Sequence, residues 1–492
     1  MLVCRYSITQ TPRKSAIDAT LTTPPAGHVL KKELRLRDLV QMQILLVVGV
    51  TWIGTAAKQG GTHLVLWIAA IVTLFLPSAA VVTYCVQIWP EEGGVYQWTR
   101  HVFGPLAGFL NAWNFGIWAL LSVSNIGILS ATSLAYALGP RFAWMGESKF
   151  LIHGFNIGLF LIILLICIVG FRIGKYISHF GTFTMILVNV LLVALLFFHP
   201  HATAAHPHHS PQSPFSLAVT MPMMTLLSLN LFSKMALNGL TGLEQIAVFA
   251  GEIKNAASAI WKSAWLAAPI IALIFILGTG SILTYIPADK VDLDGPVPQI
   301  LAAAFDGAGP TGGIDWGLML GRAAILALAL AVIAQYALIV AETSRLPMVA
   351  GWDGILPEWF TRLHPRFGTP VRSIVTIVVL AIIACSLATF GADAHEALQL
   401  INVTDSFLYD IYFGMMFLIP LVVGSRFGKP PSLLLKLASL SGLLVTILHA
   451  VLSVFPIINV PNPFLFGVKI LAASAVVNAV GFFIYRQSLR TA

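Results

Sequence analysis

Among the ionisable side chains inside the apolar runs of this chain, the candidates for chemistry are Lys234, Glu244, Glu342, Asp405, Asp410 and Lys469. A charge at the centre of a bilayer costs at least ~2.5 kcal/mol on insertion scales, so each needs a partner or a task. Glu244 directly follows a glycine-rich stretch and is the first candidate for a proton-linked group. Its alternative is a structural carboxylate that accepts hydrogen bonds from unwound backbone of the first span. Asp405 and Asp410 follow Asn402 and Thr404 in a polar interruption, LINVTDSFLYD, where they line a vestibule or pair with Lys234. Lys469 lies near the end of its run and snorkels.

Two glycine clusters carry the second kind of chemistry. GVTWIGTAA, Gly49 to Ala57, interrupts the first apolar run, and NGLTGLE, Asn238 to Glu244, interrupts the sixth. In hydrocarbon an interrupted helix exposes backbone groups, which is tolerated only where protein or a water-filled cavity satisfies them. Broken helices at matching positions, first and sixth, point to two five-helix repeats of inverted topology with a site near the midplane. Free N–H groups and a positive dipole end suit a carboxylate, and free carbonyls suit an ammonium or an alkali cation. A zwitterionic amino acid satisfies both. The competing explanation is that small residues simply let helices pack closely.

The elements that must position these groups follow from composition. Of 492 residues, 58% are hydrophobic and 10% charged, with a mean hydropathy of +0.87. That balance excludes a soluble domain, a disordered chain and a nucleic-acid binder. Continuous apolar runs of about twenty residues indicate helices rather than barrel strands. About twelve spans are expected, near 39–57, 64–88, 105–138, 150–170, 177–198, 217–249, 264–286, 319–344, 371–390, 397–423, 433–455 and 464–485. The net charge of +8 is unevenly placed. The N-terminal tail, the even-numbered connections and the C-terminus hold most cations, leaving Lys58, Arg141, Lys149, Lys290 and Arg322 on the other side. The positive-inside rule therefore sets both termini in the cytoplasm.

No cleaved signal peptide is expected, and Cys4, Cys85, Cys167 and Cys385 suggest no disulfide framework. The tract with His199, His201, His206, His208 and His209 has no ordered metal-ligand spacing and reads as a flexible polar loop. An acidic, Gly-rich segment near 287–318 reads as a solvated loop or cap, and the segment near 345–370 as an ordered connection. No nucleophile elbow, catalytic Ser/His pair or nucleotide-binding Gly-x-x-x-x-Gly-Lys segment appears, so neither an enzyme nor an ATP-driven pump is expected.

Three stretches resemble the amino acid/polyamine/organocation superfamily of secondary transporters. WPEEGGVYQWTRHVFGPLAGFLNAW (Trp89 to Trp113) is similar to its segment joining spans two and three. GLTGLEQIAVFAGEIKN (Gly239 to Asn255) is similar to its span-six signature, and SRLPMVAGWDGILPEWFTRLHPRFGTPVRS (Ser344 to Ser373) to the segment after span eight. The resemblance implies an all-α polytopic fold of about twelve transmembrane helices: a leucine-transporter-like 5+5 inverted repeat with two added C-terminal helices. Residues 1–36 form the cytoplasmic tail, 37–200 the first repeat, 201–425 the second, and 426–492 the last two spans and the C-terminus.

Carried over by position, the resemblance makes Ile53, Gly54, Thr55 and Ala56 the span-one half of a substrate site. Asn238, Gly239, Leu240, Thr241 and Gly242 become the span-six half, with Phe115, Trp118 and Ile339 facing the substrate side chain. Glu244 falls on the acidic position some relatives use as a proton sensor, and Trp52 stands beside the break as a gate. Ala56 replaces a glycine common in relatives, and Asn189 aligns where several proton-coupled relatives carry a lysine; exchange, or proton coupling through Glu244, is then the expected mode. The implied protein is a plasma-membrane transporter of amino acids working by alternating access. Polyamine or organic-cation transport, or a non-transporting sensor of the same fold, are the alternatives. The expected partners are an amino acid or amine, the lipid bilayer, a coupled proton and a second copy in a homodimer, with no nucleic acid, no metal and no cofactor.

Overall fold

A computed structural model describes residues 30–197, 220–305, 315–390, 394–454 and 463–491. The histidine tract and the first cations of the N-terminal tail lie outside the described residues. The described chain is helical. It begins with α1 (Leu36–Val47) and α2 (Val50–Ala57), followed by α3 (His63–Ala70), a π-helical turn at Ile71–Phe75 and α4 (Leu76–Ile88). Next come α5 (Val95–Phe103), α6 (Pro105–Val123), α7 (Ile126–Leu138), α8 (Lys149–Val169) and α9 (Phe171–Ala194). The second half opens with α10 (Leu226–Leu240) and a 3₁₀ continuation at Gln245–Glu252, then α11 (Ala256–Tyr285), α12 (Pro296–Phe305) and α13 (Trp316–Thr343). The chain closes with α14 (Arg345–Trp352), α15 (Val371–Phe390), α16 (Ala394–Val422), α17 (Leu433–Ser453) and α18 (Pro463–Thr491).

Among the described residues nine helical segments are long and apolar enough to cross a bilayer, and α1 with α2, bent by 45°, makes a tenth. The sequence expects about twelve. The other two fall on α10, which stops at Leu240, and on α15, whose described apolar stretch is Val371–Leu387. Burial is arranged for lipid. Leu161, Leu165, Phe183 and Leu187 on α8 and α9 point outward at half exposure or more, while Asn111, Ser233, Thr279 and Thr284 lie inside. A bundle in hydrocarbon gains nothing by hiding leucine but must satisfy every buried polar group.

The centre of the bundle is where helices fail to continue. Val48 and Gly49 are extended (ψ 90° and 113°), so α1 ends and α2 restarts at an angle. On α10 the helix stops before Thr241, whose ψ is 164°, and Gly242 sits at φ +119°, a conformation only glycine adopts without strain. The two interruptions face each other: a Cβ on Gly242 would stand 3.1 Å from Val47 Cγ2. The segment read as a solvated loop or cap is described at 287–305 and 315–318. It turns at Ala288–Lys290 and lays α12 over α2, where Pro296 leaves no room for a Cβ on Gly54. The connection after α13 is ordered, as α14 and a 3₁₀ turn at Glu358–Phe360.

Candidate functional site

The α1 break is held by a side chain from another helix. Gln335 on α13 donates from Nε2 to the carbonyls of Leu46 at 3.1 Å and Val48 at 3.5 Å, two acceptors freed where α1 stops. The α10 break is held from within and from α16. Glu244, fully buried, accepts from Gly242 N–H at 3.2 Å and from the Tyr409 hydroxyl, while Gln43 Nε2 reaches the Leu243 carbonyl at 3.5 Å. Glu244 therefore caps its own break rather than that of α1.

Between the breaks lies a cavity of about 300 Å³. One wall is the start of α2, with Gly49, Val50, Thr51 and Trp52; by helix geometry the Val50 and Thr51 N–H groups have no intrahelical acceptor and form a positive end. Asp405 also lines the cavity and accepts from Ser122 Oγ at 3.2 Å and Ser406 Oγ at 3.1 Å. Asn238, Thr241 and Gln245 contribute the α10 side. Trp118 and Tyr409 form an aromatic floor, with centroids 4.4 Å apart. Asp294, from the segment before α12, is the second lining carboxylate, and no Lys or Arg is among the described lining residues. A helix N-terminus, a carboxylate and aromatic rings lining one cavity can hold a small solute with an anionic and a cationic end.

Of the residues expected from sequence, the cavity gathers Trp52, Trp118, Asn238, Thr241, Ile339 and Asp405. Ile53, Gly54, Thr55 and Ala56 do not line it. They are wound into α2, where Thr55 Oγ1 bonds back to the Thr51 carbonyl, because the break falls at Val48–Gly49, a turn earlier than the resemblance places it. Gly54 serves the close approach of α12 instead. Gly239 lets Trp52 and Trp67 approach, Leu240 is buried in protein, and Phe115 stacks behind Trp118 at 5.2 Å. Gly242 and Glu244 form the break without lining the cavity. Asn189 donates to Met185 on its own helix, so its amide takes no part at the α1 break. Asp410 pairs not with Lys234 but with His449 on α17, at 2.8 Å.

Gln335, Gln245, Ser122, Tyr409 and His449 were missed. A search for uncharged polar side chains inside apolar runs would have found Gln335 and His449; the others needed the fold.

A buried charge cluster lies against the N-terminal segment. Glu252 bonds Arg345 at 2.9 and 3.0 Å, Glu92 accepts from Gly251 N–H at 2.6 Å, and the Glu33 and Leu34 N–H groups donate to the Glu252 carbonyl. Burial, reinforced by the neighbouring Glu252, pushes the Glu92 carboxyl well above its ordinary range despite Arg345 and the Gly251 N–H. Burial likewise raises Glu252, against the pull of Arg345. Nearby, Asp353 bonds Arg100 at 3.2 Å and accepts from the Tyr96 hydroxyl.

A model of the amino acid permease family matches residues 34–484, nearly the whole chain. The chain belongs to this family. The permease is 25% identical over 452 residues to an uncharacterized transporter of Legionella pneumophila, covering 89% of this chain and 93% of that one. It is 24% identical to the low-affinity putrescine importer of Escherichia coli, covering 76% and 78%. It is also 24% identical to the branched-chain amino acid permease of Bacillus subtilis, covering 73% and 75%. In fold the permease is similar to MhsT solved with L-phenylalanine, at a TM-score of 0.60 and 15% identity over 87% of this chain and 99% of that one. The permease is a multi-pass membrane transporter with a leucine-transporter-like fold.

Proposed function

We propose that the permease carries an amino acid across the plasma membrane by alternating access, with both termini in the cytoplasm, as an exchanger or a proton-coupled symporter. The observation that carries this reading is a cavity of about 300 Å³ lined both by the positive start of α2 and by Asp405. The solute's carboxylate meets the Val50 and Thr51 N–H groups, its ammonium meets Asp405, and its side chain lies against Trp52, Trp118 and Ile339. The inverted repeats, 37–200 and 201–425, supply the two broken helices, which rock against the remaining spans. Glu244 and Tyr409 join the α10 break to α16, and Glu244 is the proposed proton-coupled group. Because the Gln335 amide already occupies the freed carbonyls of α1, the site needs no alkali cation there.

A second reading is supported by one feature: the described lining residues include the carboxylates Asp294 and Asp405 and no cation, a balance that suits a diamine. The similarity to a putrescine importer agrees with it. Counterflow into proteoliposomes preloaded with leucine or putrescine tests both. Labelled leucine entering against preloaded leucine, with weak competition by putrescine, supports the amino-acid reading. The reverse order selects the diamine. No counterflow of either, with a folded protein, refutes transport at this cavity.

A further inference from the structure

His449 stands in the apolar run LLVTILHAVL of α17, its side chain 1% exposed. Its Nδ1 lies 2.8 Å from each oxygen of Asp410 on α16, whose side chain is 2% exposed. Its Nε2 is 3.3 Å from Ser453 Oγ and 3.5 Å from Asn238 Nδ2 on α10. Asn238 lines the substrate cavity. A carboxylate, an imidazole and an amide thus run in line from the α16–α17 interface to the wall of the site, through a helix outside the two repeats.

We propose that Asp410, His449 and Asn238 form a proton-binding relay, separate from Glu244, that transmits the protonation of His449 to the cavity. With Asp410 ionised, Nδ1–H donates to the carboxylate, and the neutral ring's Nε2 accepts from the Asn238 amide and the Ser453 hydroxyl. One proton added at Nε2 turns that acceptor into a donor and converts a buried net charge of −1 into an ion pair with no net charge. The Ser453 hydroxyl adapts by rotation. The Asn238 amide adapts only by turning over, which brings its carbonyl to the ring and its NH₂ to the opposite side. The wall facing the solute therefore exchanges an acceptor for a donor when the relay loads its proton.

Other charges set the surroundings. Lys234 lies one turn before Asn238 on α10, and Asp405, Tyr409 and Tyr412 share α16 with Asp410. Glu244 reaches α16 through Tyr409. The π-helical turn beside α17 has no ionisable side chain, and α4 offers Tyr84 and Cys85. The helices packed behind α16 present Tyr96, Arg100 and His101 on α5, Arg372 and Cys385 on α15, and Lys469, Tyr485, Arg486 and Arg490 on α18, while α6 has none. None of these replaces the carboxylate at Nδ1.

The test uses the full chain in lipid bilayers with ¹⁵N-labelled histidine, the His449 signals being those lost in His449→Gln. Over a scan from about pH 9 to pH 5 the Nε2 signal is expected to change from unprotonated to protonated, with Nδ1 protonated throughout, and Asp410→Asn is expected to displace that midpoint measurably. An Nε2 that keeps one state over this range, or a midpoint indifferent to Asp410→Asn, overturns the proton site and leaves a structural pin. The coupling half of the proposal rests on the transport reading. There, leucine uptake driven by a pH gradient should fall ~10-fold in both His449→Gln and Asp410→Asn, with counterflow at matched pH within ~3-fold of wild type. Gradient-driven uptake equal to wild type in both variants overturns the coupling. If wild type shows no counterflow of leucine or putrescine, the transport reading fails while the titration still decides the proton site.

Discussion

Replacing Gln335 by alanine removes the side-chain donor that holds the α1 break and tests whether a neutral amide stands where a cation could. The variant leaves the Leu46 carbonyl without its 3.1 Å bond and the Val48 carbonyl without a longer one at 3.5 Å. An unsatisfied buried acceptor costs ~1–3 kcal/mol. The second bond is at the edge of useful geometry, and water in the adjoining cavity recovers part of the first, so the net loss is ~1–2 kcal/mol. If the break must hold this shape to bind solute, that loss is a ~5- to 30-fold rise in the counterflow KM for leucine or putrescine. Gln335→Glu sharpens the test: a carboxylate facing two carbonyls is repulsive unless a cation bridges them, so this variant should regain transport in Na⁺ buffer and not in choline buffer. Wild type should be indifferent to that exchange. Gln335→Ala with an unchanged KM, or a wild type that requires Na⁺, refutes the assignment.

Asp405→Asn keeps the shape of the lining but removes a carboxylate charge from the cavity, and should weaken an amine-bearing solute ~10-fold or more in competition assays; an unchanged affinity removes Asp405 from the site. Glu244→Gln keeps one oxygen to accept from the Gly242 N–H and puts an NH₂ toward Tyr409, whose hydroxyl oxygen can accept from it, so the protein should fold, and accumulation should be lost or uncoupled from pH; unchanged uptake with an unchanged pH profile eliminates Glu244 from coupling. Gly242→Ala meets both a φ of +119° and Val47 Cγ2 at 3.1 Å, and should cost ~1–2 kcal/mol, read as a lower melting temperature in lipid nanodiscs. For Glu92 the sign runs toward acid. Its buried carboxyl is raised above the ordinary value of 4.5, so the closed cluster binds a proton that an exposed carboxyl would release. Its stabilisation is full below about pH 4.5 and is lost as pH climbs through the raised value. Glu92→Gln should flatten that stretch of the stability–pH curve, and a variant curve parallel to wild type contradicts the assignment.

The legible part of this molecule is the part governed by transfer of a side chain or a peptide group into hydrocarbon. Apolar runs identified the helices, and the clusters Gly49 to Ala57 and Asn238 to Glu244 marked the stretches in which two of them fail, because a broken helix at membrane depth is expensive without a purpose. Asp405, Trp52 and Trp118 came to the cavity for related reasons: one is a charge that must be solvated, the others large rings beside a gap. What stayed hidden depends on phase and partnership rather than on burial. The span-one residues Ile53 to Ala56 were misplaced by one helical turn. Whether Gly49 or Gly54 breaks the helix depends on Gln335, nearly three hundred residues away, reaching the Leu46 carbonyl, while Gly54 answers to Pro296 on α12. Asp410 could be recognised as needing a partner, yet Lys234 was the one expected, and only the packing of α16 on α17 brings His449 to it instead. Local chemistry states that a debt exists at a position, and only the packing of distant helices states which residue settles it.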